Sequence, residues 1–433
     1  MTAEAIISTA YPQIHSLANL NYQITLAHTT LTATRHHSDR ESLPFLYYIL
    51  LTAIIKCCCV IRVHFCCKDT EIIFLSAIHS SWYIKNINKP FSRLTAGRDC
   101  LFSQPVMPPS VPTVQQMTKE QTGVILLNMG GPEKLTDVRP FLYNLFSDRE
   151  IIRLGPFFMQ KPLAWLISRR RAPKSMQTYE KIGGGSPLAA ITHEQERALE
   201  KVLLAHGAYT VVTAMRYWKP DSTTALQKLA AKGIRRIIGL PLYPHYSCAT
   251  TGSSVTALKL AIKQSGTPFT LKVIESWPTQ LQYITALANK IQEAAAVFAP
   301  ETPQVVYSAH SLPVSFIKNG DPYVDHIKAS INSIEQLTKL PGKLCFQSRS
   351  GPVEWLSPST PEMLAQLAEQ GCKNILMVPI SFVSDHVETL YEINMLYRQQ
   401  AQELGMRLEA TSSLNCDPLF IEGLKELVLA ATL

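Results

Sequence analysis

Glycine is almost missing from the first part of this 433-residue chain: of its 19 glycines, only Gly97 precedes residue 119. Turns and helix C-caps that need a positive φ depend on glycine, so residues 1–118 do not read as ordinary globular sequence. Long hydrophobic runs are missing too. Leu43 to Ile55 is broken by Lys56 and then by Arg62 and His64, short of the about 20 apolar residues that span a bilayer. No secretory signal stands at Met1, because the apolar run comes too late and lacks a small-residue cleavage site. Six of the ten cysteines crowd into this stretch, among them Cys57, Cys58, Cys59, Cys66 and Cys67. Adjacent thiols do not converge on one ion, and no CxxC pair with a zinc spacing occurs. Residues 1–118 therefore read as an extraneous extension, disordered or a mis-assigned start, with Met107 or Met117 as the working first residue. The body reads as cytoplasmic, with reduced thiols.

Charge is sparse at 17% of residues, against 46% hydrophobic. That balance excludes a disordered chain, a collagen and a small disulfide scaffold. The length leaves room for two or three domains with real cores. The net charge of +8 is mild over such a length and names no partner.

From Thr122 onward the punctuation becomes regular. Gly123-Val-Ile-Leu-Leu-Asn-Met129 runs into Gly130-Gly131-Pro132, as a buried parallel strand runs into its turn. Gln304-Val-Val-Tyr-Ser-Ala-His310 runs into Ser311-Leu312-Pro313. When the two are overlaid, Pro132 meets Pro313 and Met129 meets His310. A second repeat pairs the helix, glycine stop, strand and proline of Leu226–Pro241 with those of Leu364–Pro379. The pattern predicts an α/β protein of two Rossmann-like, doubly wound domains, residues 119–285 and 286–433. Each has a parallel sheet flanked by helices, and the active-site cleft lies between them.

Four motifs carry candidate chemistry. His310 closes a buried strand where open α/β sheets place ligands, so a functional role competes with a structural one. In Ser384-Asp-His-Val-Glu-Thr-Leu-Tyr-Glu392, a helix beginning at Ser384 or Asp385 puts Asp385, Glu388 and Glu392 on one face. That row either favours the helix dipole or serves a divalent ion or a proton path, while His386 points elsewhere by about 100°. The turn Ile182-Gly-Gly-Gly-Ser-Pro187 before a helix could hold an anion on its N–H groups. It lacks the Lys-[Ser/Thr] of a P-loop and the GxGxxG spacing. Finally, Ser168-Arg-Arg-Arg-Ala-Pro-Lys174 is a basic helix end beside the apolar stretch Pro156–Ile167, a clamp for carboxylates or acidic headgroups. No broader basic stripe accompanies it, which argues against nucleic acid.

These elements, in this order, resemble ferrochelatase, the lyase that inserts ferrous iron into protoporphyrin IX in the last step of haem biosynthesis. The resemblance spans nearly all of 122–433 and rests on eight blocks: Leu127–Pro132, Arg170–Lys174, Ile182–Pro187, Arg216-Tyr217, Tyr243–Ser254, Ser308–Pro313, Gly351–Leu356 and Ser384–Glu392. It implies His310 and Glu388 as catalytic residues and metal ligands, without saying which first receives iron. It implies Asp385, His386 and Glu392 as a proton or metal path. Met129, Arg170, Arg216, Tyr217, Tyr243 and Trp355 would bind the porphyrin, with Arg170 on a propionate. Coproporphyrin enzymes tend to carry Tyr at the position of Met129, so Met129 points to protoporphyrin. Fe²⁺ is then a substrate and no cofactor is required. Cys248 matches a [2Fe–2S] ligand of some members, but four thiolates are needed, and the scattered Cys345, Cys372 and Cys416 do not supply them. Cys248 is then expected to be a small buried residue. The implied partners are protoporphyrin IX and iron, with a peripheral membrane contact at the apolar lip, no nucleic acid and no stated oligomeric state. The rivals are a coproporphyrin or other tetrapyrrole chelatase of the same fold, and a non-catalytic two-lobed haem or metal carrier.

If residues 1–118 are extraneous, a chain starting at Met117 unfolds in one thermal transition with the full chain's midpoint. Circular dichroism checks this, and a midpoint several degrees lower would show that the extension contributes to the fold.

Overall fold

Two apolar runs organise the molecule because each is buried on both faces and must be covered on both. The computed structural model describes residues 121–349, 351 and 353–432, so the expected extension 1–118 lies outside the described residues. Strand β1 (Thr122–Asn128) is buried along its whole length, as a central parallel strand requires. It lies between β2 (Tyr209–Met215) and β3 (Arg236–Pro241), with β4 (Thr270–Val273) beyond β3, all parallel. The second sheet repeats this order. Strand β5 (Gln304–His310) lies between β6 (Gly342–Gln347) and β7 (Asn374–Pro379), with β8 (Arg407–Ala410) outside.

The equivalence β1/β5 and β3/β7 matches the two sequence repeats, and the fold is the expected pair of Rossmann-like sheets. In each, the chain adds one neighbour to the first strand and then crosses to its other side. The direction of winding therefore reverses beside β1 and beside β5, and crevices at strand C-termini open at such points. Met129 and His310 stand at these two places.

The sheets share a core. Val124 and Ile238 of the first, Val305 and Leu376 of the second, and Phe420 of the last helix belong to one buried cluster. The helix Leu281–Ala295 runs through position 285, where the two halves were expected to divide. The final helix, Pro418–Thr432, returns to the first half. There Thr432 Oγ1 accepts from the Tyr209 hydroxyl at 3.1 Å, and its carbonyl accepts from Arg236 at 2.5 Å.

Two local expectations need correction. The cations Arg169–Lys174 do not end a helix; they lie inside one of 22 residues, Gln160–Lys181, which accommodates Pro173. The glycine turn is not an anion cradle either. Gly183 and Gly184 donate to Glu180 and Tyr179 carbonyls, capping that helix, and Ser186 N–H donates to Pro132 O at 2.7 Å. Backbone packs on backbone here, because a Cβ on Gly185 would lie 2.1 Å from Glu133 O.

A Gly185→Ala substitution must push two main-chain segments apart. Its expected cost is at least about 2 kcal/mol, the range of backbone and overpacking lesions, read as a lowered urea midpoint at unchanged slope.

Candidate active site

His310 is held from both sides at the end of β5. Its N–H donates to Ser381 Oγ at 3.0 Å, and its carbonyl accepts from the Tyr323 hydroxyl at 3.0 Å. On the β7 side these bonds replace a ladder that has run out, since β7 pairs with β5 only as far as Ser308, while β6 still pairs at His310. The imidazole Nδ1 lies 2.8 Å from Glu388 Oε2, with the His310 side chain 36% exposed and that of Glu388 13%. An ionised Glu388 only accepts, so Nδ1 carries the proton and the neutral ring keeps its lone pair on Nε2.

Glu388 opens a π-helix, Glu388–Tyr397, a form whose i→i+5 bonds are rare and recur at functional sites. The wider turn brings residues four apart nearly into line, so Glu392 follows Glu388. Ser348 Oγ lies 3.1 Å from Glu388 Oε2 and 2.6 Å from Glu392 Oε2. Gln347 Nε2 donates to Glu392 Oε2 at 3.3 Å, and Gln347 Oε1 accepts from Ser308 at 2.6 Å. Sequence reasoning missed Ser348 and Gln347, although Gln347 ends β6 and Ser348 directly follows it.

The electrostatics separate the two carboxyls. Burial pushes Glu388 up, but His310, His386 and the Ser348 hydroxyl outweigh it and hold the group below its ordinary value. Burial and the Glu388 charge push Glu392 up to about 7. Burial lowers His310, yet Glu388 and Glu392 more than reverse this and raise it. For His386 burial prevails and its value falls; its Nδ1 lies 3.0 Å from Ser384 O, and its ring packs 4.3 Å from that of Phe382.

Asp385 does not join the row. The π-helix begins after it, and its carboxylate accepts from Ser413 at 2.7 Å, Thr389 at 3.1 Å and Asn415 at 2.8 Å. A helix starting at Asp385 would have aligned it with Glu388; the actual start at Val387 turns it into an anchor for the 411–415 loop. Gln195 of the first half reaches the same loop, donating to Ser384 Oγ at 2.9 Å and Asn415 O at 2.7 Å.

The first sheet supplies the facing wall. Met129 is half-buried, and its carbonyl accepts from Tyr217 N at 3.0 Å. Met129, Tyr217 and Val387 share one apolar cluster, which brings the first sheet's crevice to the start of the π-helix. Arg216 donates to Asp148 at 2.8 Å and to Ser253 at 2.6 Å, while Tyr217 donates to Asp148 at 2.7 Å. Asp148 feels burial first, which raises it, but Ser253, Tyr217, the Glu150 N–H and Arg216 together lower it. Asp148 had no signal in the sequence beyond being polar, and Ser253 stood out only as part of the Tyr243–Ser254 block. Tyr243 is half-buried, and burial raises its phenol against the opposing pull of Ser254 and Arg216. Trp355 pairs with Pro313 just after His310, whereas Arg170 is exposed on its helix.

Cys248 is exposed, not buried as expected. The Ser247 hydroxyl and the Cys248 N–H both donate to Asp321, at 2.9 and 2.8 Å. At and before the start of the basic helix, Phe157 (82% exposed), Phe158 (74%) and Trp165 (47%) leave apolar rings in solvent. Arg139 and Arg169 lie 5.5 and 5.6 Å from the Trp165 ring. Among the described residues no helix is long and apolar enough to cross a membrane. A cavity of about 370 Å³ opens between Lys174 and Lys181 of the basic helix and Tyr391 of the π-helix.

The model of the ferrochelatase family matches residues 121–432. The chain is 63% identical over 311 residues to the ferrochelatase of Desulfotalea psychrophila, covering 72% of this chain and 97% of that protein. It is 50% identical over 312 residues to that of Geotalea daltonii, covering 71% and 97%. It is 50% identical over 315 residues to that of Geobacter metallireducens, covering 72% and 99%.

Replacing Asp148 by Ala leaves the Arg216 guanidinium, with 24% of its side chain exposed, without its counter-ion. The expected loss is about 2 kcal/mol, below the cost of breaking a fully buried pair. In a double-mutant cycle by urea unfolding, adding Arg216→Ala costs less than the sum of the single changes.

Proposed function

The chain belongs to the ferrochelatase family, whose members insert ferrous iron into a porphyrin, and from this premise we propose that its porphyrin is protoporphyrin IX. The product is then protohaem. The observation that carries the site assignment is the His310–Glu388 contact of 2.8 Å at the second sheet's crevice, facing the Met129 wall.

Metalation needs two pyrrole protons removed and a divalent ion delivered but not trapped. His310 accepts a pyrrole proton on Nε2, and Glu388 stabilises the imidazolium that forms. The same two side chains offer one nitrogen and one carboxylate to Fe²⁺, a donor set that releases the ion where thiolates would hold it. Glu392 and His386 continue the path away from the ring. Asp385 serves that path indirectly, by fixing the loop that carries His386. Met129, Tyr217, Tyr243 and Trp355 wall a planar apolar ring, and Arg216 stiffens that wall through Asp148 and Ser253. Arg170, exposed at the rim, takes a propionate. Iron is a substrate here, and the reading needs no cofactor. The protein is cytoplasmic, and the Phe157–Trp165 lip, flanked by arginines, rests peripherally on a membrane from which an insoluble porphyrin can enter.

The test is anaerobic insertion of Fe²⁺ into protoporphyrin and coproporphyrin, followed by absorbance, with His310→Ala and Glu388→Ala. Expected are turnover with protoporphyrin and a loss of at least about 100-fold in each variant. Preference for coproporphyrin would overturn the substrate assignment. Tight haem binding without turnover would favour the carrier reading.

The acid limb of kcat/KM follows from the sign of the His310 shift. Its pKa is raised, so the neutral base is lost as pH falls through a value above about 6.5, the ordinary one. Glu388→Gln removes the charge that raises it. In the residual activity of that variant, the limb moves to lower pH.

A further inference from the structure

Ser348, just beyond β6, adopts φ +64, a left-handed conformation that residues other than glycine rarely take. A glycine would sit there without strain, as Gly351 does at φ +86 three residues on. Backbone strain of this kind persists where a side chain repays it, and the Ser348 side chain has a specific placement. Its Oγ lies 3.1 Å from Glu388 Oε2 and 2.6 Å from Glu392 Oε2, so one hydroxyl spans two carboxylates. A hydroxyl carries one proton and two lone pairs, and can therefore donate to one carboxylate while accepting from the other. Gln347 holds the register, its Nε2 reaching Glu392 Oε2 at 3.3 Å and Glu388 O at 3.4 Å.

We propose that Ser348 relays protons from Glu388 to Glu392, a role that rests on the metalation reading of this site. A proton that His310 has passed to Glu388 Oε2 moves to Ser348 Oγ as the serine's own hydroxyl proton moves to Glu392 Oε2. The Glu388 O–H and the original serine O–H bonds break. A new serine O–H and a Glu392 O–H form, and the serine ends neutral. Rotation about Cβ–Oγ resets the hydroxyl. Two protons leave the ring for each divalent ion that enters, so the relay runs twice per turnover; between passages part-buried Glu392 releases its proton to solvent and the His310 ring returns from the Nε2–H to the Nδ1–H form. Each passage frees Glu388 for the next proton and carries charge outward along the π-helix to half-buried Glu392.

Single-turnover insertion of Fe²⁺ into protoporphyrin, in H₂O, D₂O and their mixtures, separates this role from a structural one. Ser348→Gly removes the hydroxyl while accepting the backbone angle, so its thermal midpoint is expected not to fall. Its insertion rate falls about tenfold or more, within the range of lost proton-transfer catalysis. Porphyrin affinity stays within about twofold, because no ring contact is lost. The curved dependence of rate on deuterium fraction, which the paired transfer produces in the wild type, becomes linear. Ser348→Thr, which keeps the hydroxyl, recovers most of the rate below its unfolding temperature. A Ser348→Gly enzyme with wild-type rate and isotope dependence would overturn the relay alone. A rate loss explained by weaker porphyrin binding would do the same. If the wild type inserts no metal into either porphyrin, the metalation reading falls and the relay with it.

Discussion

The contact between His310 and Glu388 is the constraint around which the second half is built. A carboxylate and an imidazole in a mostly buried crevice are costly unless each satisfies the other. The 2.8 Å bond does so, and it opposes the desolvation that would otherwise leave a poor base and a protonated carboxyl. Keeping that distance demands two rigid supports. The main chain of His310 is held by Ser381 and Tyr323 where the ladder to β7 has ended. Glu388 is fixed by a helix wide enough to point it, and Glu392 after it, along one side.

The fold places this pair opposite an apolar wall by using one topology twice. Both sheets wind in the same order, so both open a crevice beside their central strand, one ending just before Met129 and the other at His310. A shared core, the returning C-terminal helix and the Gln195 bonds to the 384–415 region hold the halves together. Met129, Tyr217 and Val387 meet in one cluster, so the apolar wall and the start of the carboxylate row are parts of one packed unit. A flat hydrophobic substrate needs the first, and a reaction that moves protons and a divalent ion needs the second.

The contrast between the two networks of the cleft is chemical. Asp148 has Arg216, Tyr217 and Ser253 converging on it, so its charge is fully answered and its role is to hold the wall. Glu392 takes its hydrogen bonds from hydroxyl and amide groups, and the Glu388 charge beside it outweighs the pull of His310. Its carboxyl is therefore pushed towards neutrality, where a proton can come and go.

The amino-acid sequence by itself determined the two α/β halves, because strands buried on both faces must be written as unbroken apolar runs. The glycines and prolines that end them are visible locally for the same steric reason. It also placed His310 at a strand's end and Glu388 and Glu392 on one element. Only the tertiary structure decided that Asp385 faces Ser413 and Asn415. The expected alignment assumed α-helical geometry from Asp385, whereas the chain starts later and winds wider. The same holds for Ser348, 40 residues from Glu388 in sequence, and for Asp148, 68 from Arg216. Hydrogen bonds of that range leave no periodicity, since their partners are chosen by how the sheets and loops close in space. Cys248 was misjudged for a related reason. A small thiol looks like core until a distant carboxylate, Asp321, is seen to hold its backbone at an exposed position.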